Sequence, residues 1–188
     1  MPIREDQRKR ILLIAGTGRN SGKTTLASSL IKHFSESFHI IGLKITSIYP
    51  DENDFHGEKT SSLIADFEIF DDTENESEKK DTFRMKQAGA KKVFFVRTKD
   101  EFIADAVDEL FKIMGENQLI VCESASLRNL LKPGLFIMIR SSDETKIKER
   151  AKKLFPLADI LLVSENLDFE KIAASIHLDQ QGWQLKAE

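Results

Sequence analysis

Ile11-Leu12-Leu13-Ile14-Ala15-Gly16-Thr17-Gly18-Arg19-Asn20-Ser21-Gly22-Lys23-Thr24-Thr25 decides how this chain is read. An apolar run of strand type stops abruptly in a small loop, and the loop closes on Gly22-Lys23-Thr24-Thr25. Helical spacing of apolar residues follows at once, at Leu26, Ala27, Leu30, Ile31 and Phe34. Strand, phosphate loop and helix in that order are the context that makes Gly-Lys-Thr a nucleotide site. The backbone amides of Gly18, Arg19, Asn20, Ser21, Gly22, Lys23, Thr24 and Thr25 and the positive end of the helix then face one point, which suits a polyphosphate. Lys23 is expected to act as a point charge on the terminal phosphates, and the Thr24 hydroxyl as a ligand to Mg²⁺.

The spacing departs from the usual phosphate loop in one place. The glycine expected five residues before Gly22 is replaced by Thr17, with Gly16 one residue earlier. A dinucleotide fingerprint, Gly16-x-Gly18-x-x-Ser21, lacks its third glycine and gives no reason for Lys23-Thr24. An ordinary glycine turn explains neither the lysine nor the helix behind it. The phosphate site accounts for more of the residues.

With 188 residues the chain is long enough for one well-buried core, so one domain over 1–188 is expected. Forty per cent hydrophobic and 31% charged residues are ordinary for a globular chain, and a formal net charge of −3 argues against a nucleic-acid or membrane-surface binder. No apolar run reaches spanning length, and the charged N-terminus is expected to lead straight into the first strand. The single Cys122 forms no internal disulfide, and His33, His39, His56 and His177 lack ligand spacing. These readings place the protein in the cytoplasm.

Strand-like and helix-like segments alternate almost to the end, as in an α/β fold with a mostly parallel sheet and helices on both faces. Strands are expected at 39–45, 91–97, 119–122, 135–139 and 160–163. Thr98-x-x-Glu101 reads as a capping box for a helix with apolar positions Phe102, Ala106, Leu110 and Met114 and a stop at Gly115. Ser141-x-x-Glu144 reads as a cap for a helix running toward Pro156, and a last helix is expected after Asp168. Residues 46–80 break this rhythm as a long excursion, with a strand or hairpin around Ile64 to Phe70. Its acidic tip, 71–80, is expected to be mobile and too polar to pack.

Lys44, at the end of the second strand, reads either as a phosphate or substrate lysine or as a solvated strand end. Glu123 closes an apolar strand where a nucleotide enzyme needs a carboxylate for Mg²⁺ or its water shell. Asp81 opens a short helix that closes at Gly89; it is either a cap or, with Arg84, a group facing the phosphates. Asp168 is either a guanine acceptor or the cap of the last helix. Cys122 and Trp183 read as core.

Gly16 to Thr25, Gly42-Leu43-Lys44, Lys80-Asp81-Thr82-x-Arg84-x-x-x-Ala88-Gly89-Ala90 and Leu119 to Glu123 together resemble the molybdopterin-guanine dinucleotide biosynthesis protein B (MobB) family of P-loop proteins. That resemblance spans roughly the first two-thirds of the chain. It implies GTP binding with weak hydrolysis, a homodimer, and a protein client of the molybdopterin guanylyltransferase type. It also implies that Gly22, Lys23 and Thr24 hold phosphates and Mg²⁺ and that Asp81 and Glu123 are their acidic partners. The chain departs from the family at Ile45-Thr46-Ser47-Ile48, where histidines are usual, and at Ser124-Ala125-Ser126, where a glycine turn is usual.

The expected function is therefore Mg²⁺-dependent binding and slow hydrolysis of a purine nucleoside triphosphate, GTP or ATP, with Lys23, Lys44, Asp81 and Arg84 as catalytic candidates. Asp81 is assigned to orienting the attacking water. Two other readings stand beside it: an ATP-dependent small-molecule enzyme resembling dethiobiotin synthetase, and a non-catalytic nucleotide-binding module.

Overall fold

Apolar runs buried on both sides and separated by amphipathic helices can only stack as a covered sheet, and this chain does so. The computed structural model describes residues 3–18, 20–49, 65–78 and 80–187; Arg19, His56, Ile64 and Lys79 lie outside them. A short helix α1 (Glu5–Lys9), not anticipated in the charged N-terminus, precedes β1 (Ile11–Gly16), α2 (Lys23–Phe34) and β2 (Ile40–Ile48). Next come β3 (Phe67–Asp71), α3 (Asp81–Gln87), β4 (Lys92–Lys99), α4 (Ile103–Met114), β5 (Leu119–Glu123) and α5 (Leu127–Leu130). The chain finishes with β6 (Leu135–Arg140), α6 (Glu149–Lys152), β7 (Ile160–Val163), α7 (Phe169–Ala174), β8 (Ile176–Asp179) and β9 (Gly182–Leu185).

Seven strands form one sheet in the order β3-β4-β2-β5-β1-β6-β7, parallel throughout except for β3, which runs antiparallel to β4. Leu12 and Ile14 of β1 pack with Leu26, Leu30 and Met85 on the face of α2 and α3, whereas Leu13 and Ala15 pack with Ala106, Leu110, Leu127 and Leu154 on the other. From β1 the chain travels toward β2, and from β5 it travels the opposite way to β6. That reversal opens a crevice outside the carboxyl ends of β1 and β5. Trp183 closes the opposite end: it is 2% exposed, edge-on to Phe34, and donates its indole N–H to the Arg10 carbonyl at 3.0 Å.

Several expectations need correction. The Thr98 hydroxyl donates to the Lys99 carbonyl instead of capping a helix, because Thr98 is still in β4; α4 starts at Ile103 and buries Ile103, Ala106, Val107 and Leu110. Gly115 does end it, at φ 77°. After β6 there is no single helix toward Pro156: Asp143, not Ser141, caps a 3₁₀ turn at Glu144–Lys146, and the four-residue α6 follows. The acidic tract does pack where it begins. Asp72 is 5% exposed, accepts from the Thr82 hydroxyl at 2.8 Å and from the Asn75 amide at 3.2 Å, and donates its own N–H to the Val93 carbonyl. Because β3 is antiparallel to β4, Asp72 lies beside Val93 near the start of β4, and its bond to Thr82 ties it to the first turn of α3, next to Asp81. Among the described residues, no helix is long and apolar enough to cross a membrane.

Candidate functional site

The glycine displaced by one position has a physical reason. A Cβ at Gly16 would lie 2.6 Å from the Ser21 Oγ and 2.9 Å from the Lys23 Cδ, so a larger residue there would push the Ser21 and Lys23 side chains out of their places over the end of β1. Thr17 carries no such constraint; its Oγ1 instead accepts from the Ser141 amide at 2.9 Å, tying the loop to the end of β6. The loop then turns through left-handed backbone at Asn20 (φ 57°) and Gly22 (φ 89°) into the first turn of α2. Gly22 occupies the cap position of α2, and no side chain caps that helix. The Lys23 ammonium lies back across the loop, donating to the Gly18 carbonyl at 2.6 Å and to the Ser21 Oγ at 3.2 Å.

Register brings the acidic groups to the loop. Glu123 stands level with Ile14 of β1 on one side and Lys44 of β2 on the other. It is 5% exposed, and its Oε2 accepts from the Thr24 hydroxyl at 2.7 Å. Lys44 is not at the end of β2 as expected; the strand continues to Ile48, and Lys44 is level with the end of the shorter β5. Its ammonium is shared between Asp81, in a close ion pair, and Glu123 at 3.4 Å. Asp81 is the first residue of α3, not its cap, which is Lys80. Arg84, one turn on, donates to the Thr25 hydroxyl at 3.0 Å.

Electrostatics follow from this packing. Burial lowers the pKa of Lys23; Glu123 and Asp81 oppose the shift and Lys44 adds to it. Burial pulls Lys44 the same way, but Glu123 and Asp81 more than offset it and hold its ammonium above the usual lysine range. Burial would raise Asp81, yet its hydrogen bond and charge pairing with Lys44 hold the carboxyl below its ordinary value. Both members of the pair are ionised at neutral pH.

Lys23, Thr24, Thr25, Lys44, Asp81, Arg84 and Glu123 therefore line one cavity of about 860 Å³ with Gly18, Asn20, Ser21 and Gly22. Two further sequence candidates are Arg19 and Asp168. Arg19 lies outside the described residues. Asp168 caps α7, its Oδ1 accepting from the Lys171 amide at 3.1 Å, and does not line the cavity. Cys122 is fully buried, and burial pushes its thiol pKa up, as befits a core residue.

Family models, curated proteins and solved structures give no match to this chain.

The oxygen donors at the mouth of α2 suit a hard divalent cation. The Thr24 hydroxyl, Glu123 and Asp81 offer oxygen only, and a small hard cation that keeps phosphate and water ligands needs few from the protein. Among the described residues no three His, Cys, Asp or Glu side chains gather into a metal cluster of their own.

Sequence reading missed Ser47, Tyr49, Ser126, Asn129, Lys148 and Arg150, which also line this cavity. The signal available was the run of small polar residues directly after Glu123, at the carboxyl end of a buried strand.

Proposed function

We propose that this chain is a P-loop protein that binds a purine nucleoside triphosphate with Mg²⁺ and hydrolyses it slowly. The observation that carries this reading is the 2.7 Å hydrogen bond joining Thr24, in the uncapped first turn of α2, to the buried carboxylate of Glu123. A hydroxyl and a carboxylate placed together at a helix start, behind a lysine-bearing glycine loop, suit a metal-bound polyphosphate.

In this reading the loop amides and Lys23 hold the phosphates, and Thr24 and Glu123 hold Mg²⁺ directly or through its water. Bound there, Mg²⁺ would neutralise charge on the terminal phosphates. Lys23 and Arg84 supply fixed positive charge where negative charge grows on the transferring group, which is the main thing phosphoryl transfer requires. Asp81, kept ionised by Lys44, is a hydrogen-bond acceptor able to orient water. The resemblance to the MobB family supports GTP as the nucleotide, a homodimer and a protein client. The cavity volume of about 860 Å³ favours a second reading, a small-molecule enzyme resembling dethiobiotin synthetase, because it leaves room for a small molecule beside a triphosphate tail.

The test is thermal unfolding with ATP, GTP, CTP and their diphosphates in the presence of Mg²⁺. A purine triphosphate at a hundred times its dissociation constant should stabilise the protein by about 2.7 kcal/mol. Lys23→Ala should remove most of that shift. Equal shifts from every nucleotide in wild type and variant alike would defeat the proposal.

A further inference from the structure

Two carboxylates converge on one ammonium beside the first turn of α2. Asp81 pairs closely with the Lys44 Nζ, and the Glu123 Oε1 lies 3.4 Å from it. The other oxygen of Glu123 takes the Thr24 hydroxyl at 2.7 Å. Oxygens suited to a hard divalent cation thus already surround a cation that the chain itself carries. Register sets this up. Lys44 and Glu123 are level across the β2–β5 pair, so their side chains leave the sheet on one face, and Asp81 joins them from the first residue of α3. The Lys44 side chain is 22% exposed and that of Glu123 only 7%, so water screens the pair weakly.

Lys23 provides the contrast. It feels the charge of both carboxylates and of Lys44, yet its ammonium donates to the Gly18 carbonyl and the Ser21 Oγ. Two lysines of equal charge therefore share this corner of the cavity, one seated on the acidic oxygens and one on the loop.

We propose that the Lys44 ammonium is a resident counter-ion, displaced from between Asp81 and Glu123 when a divalent cation binds, so that metal and nucleotide are taken up together. It rests on the nucleotide reading above and assigns the control of that same site. Displaced by metal alone, Lys44 loses both partners and keeps a part-buried charge beside a second cation, which is costly. With a triphosphate in the loop, the released ammonium gains phosphate oxygens and the cost falls. Each ligand then raises the affinity for the other, in addition to the direct contact between phosphate and metal.

The test is binding of Mn²⁺, a spectroscopic stand-in for Mg²⁺, to the full chain free of nucleotide, followed by the electron paramagnetic resonance of free Mn²⁺. Lys44→Met should tighten binding about tenfold or more, within the usual range of coupling between sites. Lys23→Met removes the same charge from the loop and should change Mn²⁺ affinity far less. Equal gains in the two variants, or no gain in Lys44→Met, would overturn the displacement. Wild type gives a second answer that depends on no variant folding. Saturating Mn²⁺ should speed acetylation of Lys44 more than that of Lys23, measured by mass spectrometry, and a non-hydrolysable purine triphosphate added next should slow it again. An equal change at the two lysines would also overturn the displacement, while leaving the nucleotide reading intact if the triphosphate binds. A triphosphate that fails to bind wild type at saturating Mn²⁺ would overturn the nucleotide reading, and this proposal with it.

Discussion

Two helices start at the same edge of the sheet, and they start differently. α7 opens on Asp168, whose carboxylate accepts from the Lys171 amide and lies 3.3 Å from its ammonium, so its positive end is answered from within. α2 opens on Gly22 with no side-chain cap, and the groups arranged round its first turn are hydroxyls, lysines and carboxylates from other elements. The two starts touch: a Cβ on Gly22 would fall 2.6 Å from the Leu167 Cδ1, just before α7. A helix that carries its own carboxylate cap has little left to offer an anion. A helix begun by glycine leaves its first amides for whatever arrives.

The sharpest way to break this contrast is at Gly22 itself. Gly22→Ala places a side chain at φ 89° and against Leu167, and should lower stability by about 1–3 kcal/mol in denaturant unfolding. Adding Leu167→Ala should recover only the part due to the clash; full recovery would mean that the left-handed turn is not strained. At the other helix, Asp168→Ala should cost about 1 kcal/mol through the lost cap. Affinities for GTP and ATP should then move together; a loss confined to GTP would return Asp168 to the role of guanine acceptor.

The smallest effect is expected at Asp81, which is partly solvated. Asp81→Asn should cost less than about 1 kcal/mol at neutral pH. The folded pKa of Asp81 lies below its ordinary value, so its contribution is present above the ordinary carboxylate range and fades as pH falls through the depressed folded value. Wild type and variant should therefore converge in acid. Lys44 has the opposite sign: its raised folded pKa keeps its contribution whole below the usual lysine range and loses it as pH climbs through the folded value. A gap between wild type and Asp81→Asn that widened on acidification would refute this pairing.

Much of the scaffold was legible because it is encoded locally. The buried positions of α2 at Leu26, Ala27, Leu30, Ile31 and Phe34 follow from spacing, and Gly115 and Asp168 act as the stop and the cap that their chemistry suggests. Caps were misread at Thr98 and Ser141, where β4 and the end of β6 run a residue or more further and draw the hydroxyl into other contacts. The acidic tract was misread at Asp72 because a carboxylate packs when a buried hydroxyl and an amide meet it, and both partners lie further along the chain.

By itself the sequence determined a glycine loop between an apolar strand and an amphipathic helix, together with the alternation that builds a covered parallel sheet. These are properties of short windows, set by backbone sterics and by the period of the apolar residues. Only the tertiary structure decided that Glu123 stands between Ile14 and Lys44, that Asp81 pairs with Lys44, and that Arg150 stacks on Tyr49. Strand order and register join residues tens of positions apart, and no local pattern specifies which of them will be neighbours.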